Sequence, residues 1–399
     1  MLDRAPHELH DGYGRGISYL RIAVTDKCNF RCIYCMPAEG VPPRAHDELL
    51  SAEEISHFVR LVAGEGIRRV RLTGGEPLVS HRIVPLIREL RAIPGIEDIS
   101  LTTNGALLPK LAPELKKAGL DRVNISLDTL DPGQFSQITR LGRLEQTLRG
   151  IDAALAWGFD PVKVNCVVVR RLNQDVFGLA KLSVERPVHV RFIEYMPIGD
   201  EQTGTDRAHD AAQDAPTAAA FEADAPAVLE EGGPATVAGI CPGGPQPDKN
   251  SAPDPHCLGG NLNASAWDAS DTVPSAELCE RISHAGVAAG LGGLEPVADG
   301  GPSGAGPAAY WRFSGAAGTV GFISAMSNHF CSSCNRMRLT ADGSIRPCLF
   351  SDAEYPVREA LRAGDDARVL AIWRDAVVHK PQEHEVIEGT ERFMSQIGG

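Results

Sequence analysis

The sequence predicts an α/β fold, an open partial barrel of parallel strands, and three observations carry that prediction. Short β-branched runs alternate with helix-period segments from Ser18 to about Met196. The first of those helices opens with a capping-box spacing, Ser51 and Glu54, in which each side chain can satisfy the other's backbone N–H. About six strand–helix units fill this stretch, too few for a closed eight-fold barrel of roughly 250 residues. In chain order, Tyr19–Val24 is the first strand, and a cysteine-rich loop leads from it to a helix at Ser51–Ala63. Arg69–Leu72 is the second strand, followed by a helix over Ile83–Arg91. Ile99–Thr102 and Arg122–Ser126 are further strands separated by a helical Leu107–Ala118, and Lys163–Val169 and His189–Ile193 complete the series. Alternation of this kind requires crossover connections, and crossovers make neighbouring strands parallel.

Beyond the barrel the composition changes. Thr203–Thr272 is crowded with Ala, Gly, Pro and Asp and holds eleven acids against two bases, −9 of the chain's net −13. Such a segment buries too little apolar area to offset its ordering entropy. Residues 201–273 therefore read as a disordered, low-complexity acidic insertion between a region 1–200 and a region 274–399. Helical pattern resumes at Ser275–Ala289, and strand-like Tyr310–Phe313 and Thr319–Ser324 lead to a second cysteine group.

The 399 residues, 43% hydrophobic and 23% charged, have the composition of a soluble globular protein. No apolar run reaches 18 residues, and Met1–His10 lacks the apolar stretch of a secretion signal, so a cytoplasmic location without membrane contact is expected. Ten cysteines in a reducing compartment read as metal ligands or redox groups before disulfides. No block of positive charge argues for a nucleic-acid partner.

Cys28, Cys32 and Cys35 form C-x3-C-x2-C on the loop after the first strand. Thiolates so closely spaced can converge on one soft metal centre. A [4Fe–4S] cluster held by three cysteines keeps its fourth iron open. S-adenosylmethionine (SAM) can chelate that iron, and an electron from the cluster then breaks a carbon–sulfur bond. The plainer alternative is a structural zinc site, but a closed zinc site wants four protein ligands and no fourth lies nearby. Leu72-Thr73-Gly74-Gly75-Glu76-Pro77-Leu78 ends the second strand, where glycines let backbone carbonyls approach the SAM amino group. Cys331, Cys334 and Cys348 form C-x2-C-x13-C, again three ligands with a position open toward a substrate, or else part of a zinc ribbon. Between them Arg336 and Arg338 alternate onto one side of an extended segment and suit a polyphosphate through bidentate bonds.

Cys28, Cys32 and Cys35 with the aromatic Tyr34, followed by Gly74–Pro77, resemble the radical SAM superfamily. That resemblance implies a TIM-like (β/α)6 partial barrel with its site at the C-terminal mouth. Over Ser18–Gly199 and Ser275–Gly399 the chain is similar to one family within it, the GTP 3′,8-cyclases (MoaA) of molybdenum cofactor biosynthesis. The matching strings are Leu20–Cys28, Leu101–Gly105, Asn124–Asp128, Arg191–Met196 and Cys331–Phe350. The family implies two [4Fe–4S] clusters, the first binding SAM and the second, on a C-terminal extension, binding the guanine of GTP. Hydrogen would leave ribose C3′, which then attacks C8 to give (8S)-3′,8-cyclo-7,8-dihydroguanosine 5′-triphosphate, a lyase reaction. By position, Tyr34, Gly75, Ser126 and Met196 would meet SAM. Arg21, Arg69, Arg71, Thr102, Lys163, Arg191, Arg336, Met337 and Arg338 would meet GTP, and Gly398-Gly399 would thread into the site. The implied pathway partner is cyclic pyranopterin monophosphate synthase (MoaC). A homodimer is left open and the electron donor is not identified.

The insertion is the departure from that family, and it carries Cys241, His256 and Cys257, read as isolated flexible residues. Cys166 and Cys279 read as small core residues. A radical SAM peptide-modifying maturase and a non-enzymatic zinc-stabilised scaffold are the competing assignments. The paired arginines between the second-group cysteines favour a nucleotide over a peptide.

Overall fold

Six strands pair in parallel in chain order: β1 (Tyr19–Ala23), β2 (Arg69–Thr73), β3 (Asp98–Thr103), β4 (Arg122–Ser126), β5 (Val162–Val168) and β6 (Val188–Glu194). They are the strands the sequence predicts, to within one residue at each end. The computed structural model describes residues 9–42, 44–198, 267–298, 301–304, 306–384 and 392–398. The described residues belong to one unit.

The sheet does not close, and the region after residue 273 extends both of its edges. β9 (Thr319–Ile323) adds to β6 and β10 (Arg336–Leu339) adds to β1, both in parallel. Antiparallel strands finish each side: β11 (Ser344–Arg346) and β12 (Tyr355–Pro356) beyond β10, β8 (Ala309–Arg312) and β7 (Glu295–Pro296) beyond β9. The backbone groups of β1 and β6 that an open six-stranded sheet would leave unpaired are thereby satisfied. The second cysteine group is thus carried at the edge of the same sheet, beside the first.

Helices cover the outer face. α1 (Ala52–Ala63) has the expected capping box: Ser51 Oγ accepts from the Glu54 N–H at 3.1 Å, and Glu54 accepts from the Ser51 N–H at 2.7 Å. Ile55, Phe58, Val59 and Val62, at helical spacing, form its buried stripe. α2 (Ile83–Arg91) and α3 (Leu108–Ala118) follow as predicted. The sequence reading did not place α4 (Pro132–Thr139), α5 (Leu144–Ala156) or α6 (Val176–Glu185), although Asp131 and Asp175 cap α4 and α6. α7 (Ser275–Ala288), α8 (Arg358–Arg362), α9 (Asp366–Val378) and the short α10 (Met394–Ile397) complete the set.

The expected insertion 201–273 is too long at its C-terminal end. Residues 267–273 pack on the barrel: Trp267 and Val273 are buried, Asp271 pairs with Arg171 at 2.7 Å, and Thr272 Oγ1 donates to the Tyr195 carbonyl. Two apolar anchors and an ion pair offset the ordering entropy that the acidic composition alone could not. Residues up to 266, with Cys241, His256 and Cys257, lie outside the described residues. No described helix is long and apolar enough to cross a membrane.

Candidate active site

Register decides which side chains share the inner face. Arg338 on β10 lies beside Arg21 on β1, which lies beside Arg71 on β2, then Ser100 on β3 and Arg122 on β4. One step along, Thr102, Asn124, Lys163 and His189 form a second row, and beyond it Ser126, Asn165 and Arg191 a third. These side chains alternate with the apolar residues that build the outer core. They surround a cavity of about 290 Å³, lined by both cysteine groups and most of the inner-face polar residues.

One side of that cavity is crowded with cations. Burial and neighbouring guanidiniums lower the Arg21 pKa well below its usual value, and those of Arg191 and Arg338 to about 10. Lys163 is pushed down to about 6 by burial, then by Arg191, Arg122 and Arg71. So many enclosed like charges are costly without an anion among them. Fixed partners aim several of them. Arg191 donates to Asn165 and Asn124 Oδ1, Arg71 donates to Ser100 Oγ and lies over the Tyr19 ring, and Arg336 lies over Phe330.

The other side holds the first cysteine triad and two carboxylates. Burial pushes the Cys28 and Cys35 thiols up to about 11 and about 12, and Cys32 well above its usual range, with neighbouring acids and cysteines adding to it. Tyr34 Oη donates to Asp128 at 2.7 Å, and burial raises the Asp128 carboxyl to about 6. Glu76, raised by burial to about 7, accepts from Thr103 Oγ1 and from the Asn104 and Leu78 N–H groups. Bare thiolates here would be destabilised, so this donor set calls for a cationic centre. Among the described residues no three His, Cys, Asp or Glu side chains close on a single metal-ion position. Cluster ligands need not meet at one point, because each binds a different iron.

The two glycines act on the cysteine loop itself. A Cβ on Gly75 would lie 2.3 Å from the Lys27 carbonyl, and one on Gly74, at φ +130°, 2.2 Å from that of Thr25. Gly75 and Glu76 N–H groups donate to those same carbonyls at 2.8 Å. The end of β2 is thus stitched to the three residues preceding Cys28.

Of the residues singled out from sequence, Cys28, Cys32, Cys35, Cys331, Cys334, Cys348, Tyr34, Gly75, Ser126, Met196, Arg21, Arg71, Thr102, Arg191, Arg336 and Arg338 all line the one cavity. Four others are placed elsewhere or lie outside the described residues. Met337 is fully buried in the hydrophobic core, because strand alternation turns it away from its two arginine neighbours. Arg69 is half-buried at the start of β2 and does not reach the cavity wall. Lys163 donates to the Ser303 carbonyl at 2.7 Å instead of lining the cavity. Gly399 lies outside the described residues, whereas Gly398, at φ +70°, offers its carbonyl to Arg338 Nη1 at 2.6 Å. Met394 of the same tail lines the cavity along with the first triad. The sequence reading missed Tyr19, Asp128, Lys380 and His384, which also line the cavity. Tyr19 stood on a predicted strand two residues before Arg21, and that alternation was the available signal.

An open parallel barrel carrying C-x3-C-x2-C at its mouth defines a radical SAM protein, and residues 22–181 match the family model for the radical SAM superfamily. Residues 262–386 match that for molybdenum cofactor synthesis C. GTP 3′,8-cyclases of Pelotomaculum thermopropionicum and Moorella thermoacetica are 42% and 45% identical to the chain, each over 98% of it and 100% of the relative. That of Geobacter sulfurreducens is 39% identical over the same shares. The chain belongs to the GTP 3′,8-cyclase family. Among solved structures, Streptococcus suis SuiB bound to precursor peptide SuiA is similar at 20% identity and TM-score 0.39, over 45% of this chain and 40% of that one, too little to bear on the site.

Proposed function

We propose that the protein catalyses the SAM-dependent radical cyclisation of GTP to (8S)-3′,8-cyclo-7,8-dihydroguanosine 5′-triphosphate, the first step of molybdenum cofactor biosynthesis. The observation that carries this reading is the polarity of one cavity, with carboxylates and a buried triad at one side and arginines beside a second triad at the other. SAM is a sulfonium cation, and a nucleoside triphosphate carries about four negative charges, so each ligand has a side that complements it. Two [4Fe–4S] clusters, when bound, supply the electron for SAM cleavage at Cys28, Cys32 and Cys35 and a binding iron at Cys331, Cys334 and Cys348.

The chain's own residues bind and orient. Tyr34, Gly75, Ser126 and Met196 border the SAM side, with Asp128 holding the Tyr34 hydroxyl. Arg21, Arg71, Arg191, Arg336 and Arg338 neutralise the triphosphate, each charge-assisted hydrogen bond contributing about 1.5–3 kcal/mol. Tyr19 Oη and Thr102 Oγ1 are buried on the cavity wall without a hydrogen-bond partner among the described residues. They are available to the ribose or phosphates. Arg338 also anchors the tail, donating to the Ile397 and Gly398 carbonyls. A maturase's peptide groove would have no use for so many enclosed cations.

The product leaves as a substrate for cyclic pyranopterin monophosphate synthase, in the cytoplasm. The test is anaerobic reconstitution with iron and sulfide, reduction, and addition of SAM and GTP. Formation of 5′-deoxyadenosine that depends on GTP, with a GTP isomer of unchanged mass, is expected. Formation of 5′-deoxyadenosine with GTP unaltered would remove the substrate assignment.

A further inference from the structure

We propose that Lys380 is a positioning residue for the second cysteine triad: its ammonium ties together the segments bearing Cys334 and Cys348 and fixes a positive charge beside their sulfurs. The inference rests on reading Cys331, Cys334 and Cys348 as cluster ligands.

Lys380 follows α9 and is 3% exposed. Its Nζ donates to the Pro347 carbonyl at 2.6 Å and to the Arg336 carbonyl at 2.9 Å. Those carbonyls belong to the residue just before Cys348 and the residue two after Cys334. One ammonium thus ties the segment after Cys334 to the segment before Cys348, with N–H donors enough for both carbonyls.

The strap that carries Lys380 reaches the remaining cysteine as well. The His384 ring lies within hydrogen-bond distance of the Ala325 carbonyl at 3.1 Å. Arg15, held by Asp11, donates to the carbonyls of Pro381 at 2.6 Å, Gln382 at 2.8 Å and Cys331 at 2.7 Å. One five-residue segment, 380–384, thus organises all three ligands.

Lys380 differs from the arginines in what its charge faces. All three cations border the cavity. The Lys380 ammonium, however, is held by the Arg336 and Pro347 carbonyls, so it stays beside the triad when the cavity fills. A fixed cation favours the reduced, more negative state of a cluster, as do hydrogen bonds to its sulfurs.

The test uses the full chain with Cys28→Ala, Cys32→Ala and Cys35→Ala, so that only the second centre can load. Iron per chain and the midpoint potential are measured, the latter by EPR-monitored redox titration. Lys380→Met in this background is expected to shift the potential to more negative values, and Lys380→Arg to leave it near the parent. Should Lys380→Met fail to fold, Lys380→Gln removes the charge while keeping donors for the carbonyls, and the same negative shift is expected. Potentials equal across the parent and the neutral variants would overturn the inference alone. A parent that takes up no iron would overturn the triad reading and the inference with it.

Discussion

The two cysteine triads line one cavity, yet their surroundings are opposite in charge. Around the first, burial raises all three thiols; Glu76 adds to it at Cys28, and Cys35 followed by Asp128 adds to it at Cys32. Around the second, Lys380 and Arg336 act in the other direction on Cys334. Identical ligands can therefore be given different tasks by the charges behind them. The acidic side suits a cationic partner, the basic side a polyanion.

Removing a ligand breaks the comparison most severely. Cys28→Ala should abolish iron at the first centre and 5′-deoxyadenosine formation with it, while about half of the reconstituted iron, four of eight atoms by cluster stoichiometry, stays at the second. Iron analysis and nucleoside chromatography read both, and 5′-deoxyadenosine from this variant would refute the assignment of the first triad.

Substitutions on the basic side should reverse the pattern. Arg336→Ala is expected to weaken GTP binding about 10- to 100-fold, the equivalent of one charge-assisted contact, with SAM affinity unchanged. Equilibrium binding to the protein before reconstitution tests this, and an unaltered GTP affinity would remove Arg336 from the triphosphate site.

Gly75→Ala probes how the first loop is held. Its methyl would meet the Lys27 carbonyl at 2.3 Å, so the cysteine loop must shift, at a cost of about 1–3 kcal/mol. Lower iron occupancy of the first centre and a reduced melting temperature are the expected readouts, with the second centre filled normally.

Protons sharpen the contrast further. Lys163 sheds its proton near pH 6 in the empty folded protein, against 10.5 for its ordinary value. The unfolded chain thus binds more protons between those limits, and this group's contribution makes stability rise with pH across that window. A triphosphate among the cations restores the ammonium, so GTP binding at pH 8 should take up a proton. Calorimetry in buffers of different ionisation enthalpy detects the uptake, and Lys163→Met should abolish it.

The smallest effect is expected at Met337. Met337→Leu keeps the volume of a core residue and should cost less than about 1.5 kcal/mol, with GTP affinity unchanged. A clear loss of GTP affinity would return Met337 to the binding site.

What could be read from sequence follows the range of the forces involved. β4 and α2 were bounded to the residue because β-branched runs and helical spacing act over a few residues. Both triads were legible because their ligands lie close along the chain. Alternation with Arg336 and Arg338 already places Met337 on the opposite face of its strand, where it is buried. α4 and α6 were passed over where short apolar stretches lacked a strong period, whereas α5 carried a readable stripe at Leu144, Ile151 and Ala154 that was not used.

By itself the sequence determined the parallel strand–helix alternation, the cysteine triads and the family to which they belong, all encoded in local pattern and spacing. Tertiary structure alone decided that β10 pairs with β1 and β9 with β6, which sets Arg338 beside Arg21 and Arg71 across more than 250 residues of chain. It also brought Lys380 and Arg15 to the second triad's segments and the tail to Arg338. Such contacts depend on which sheet edges need partners and where buried charges find acceptors, and no local stretch of sequence specifies either.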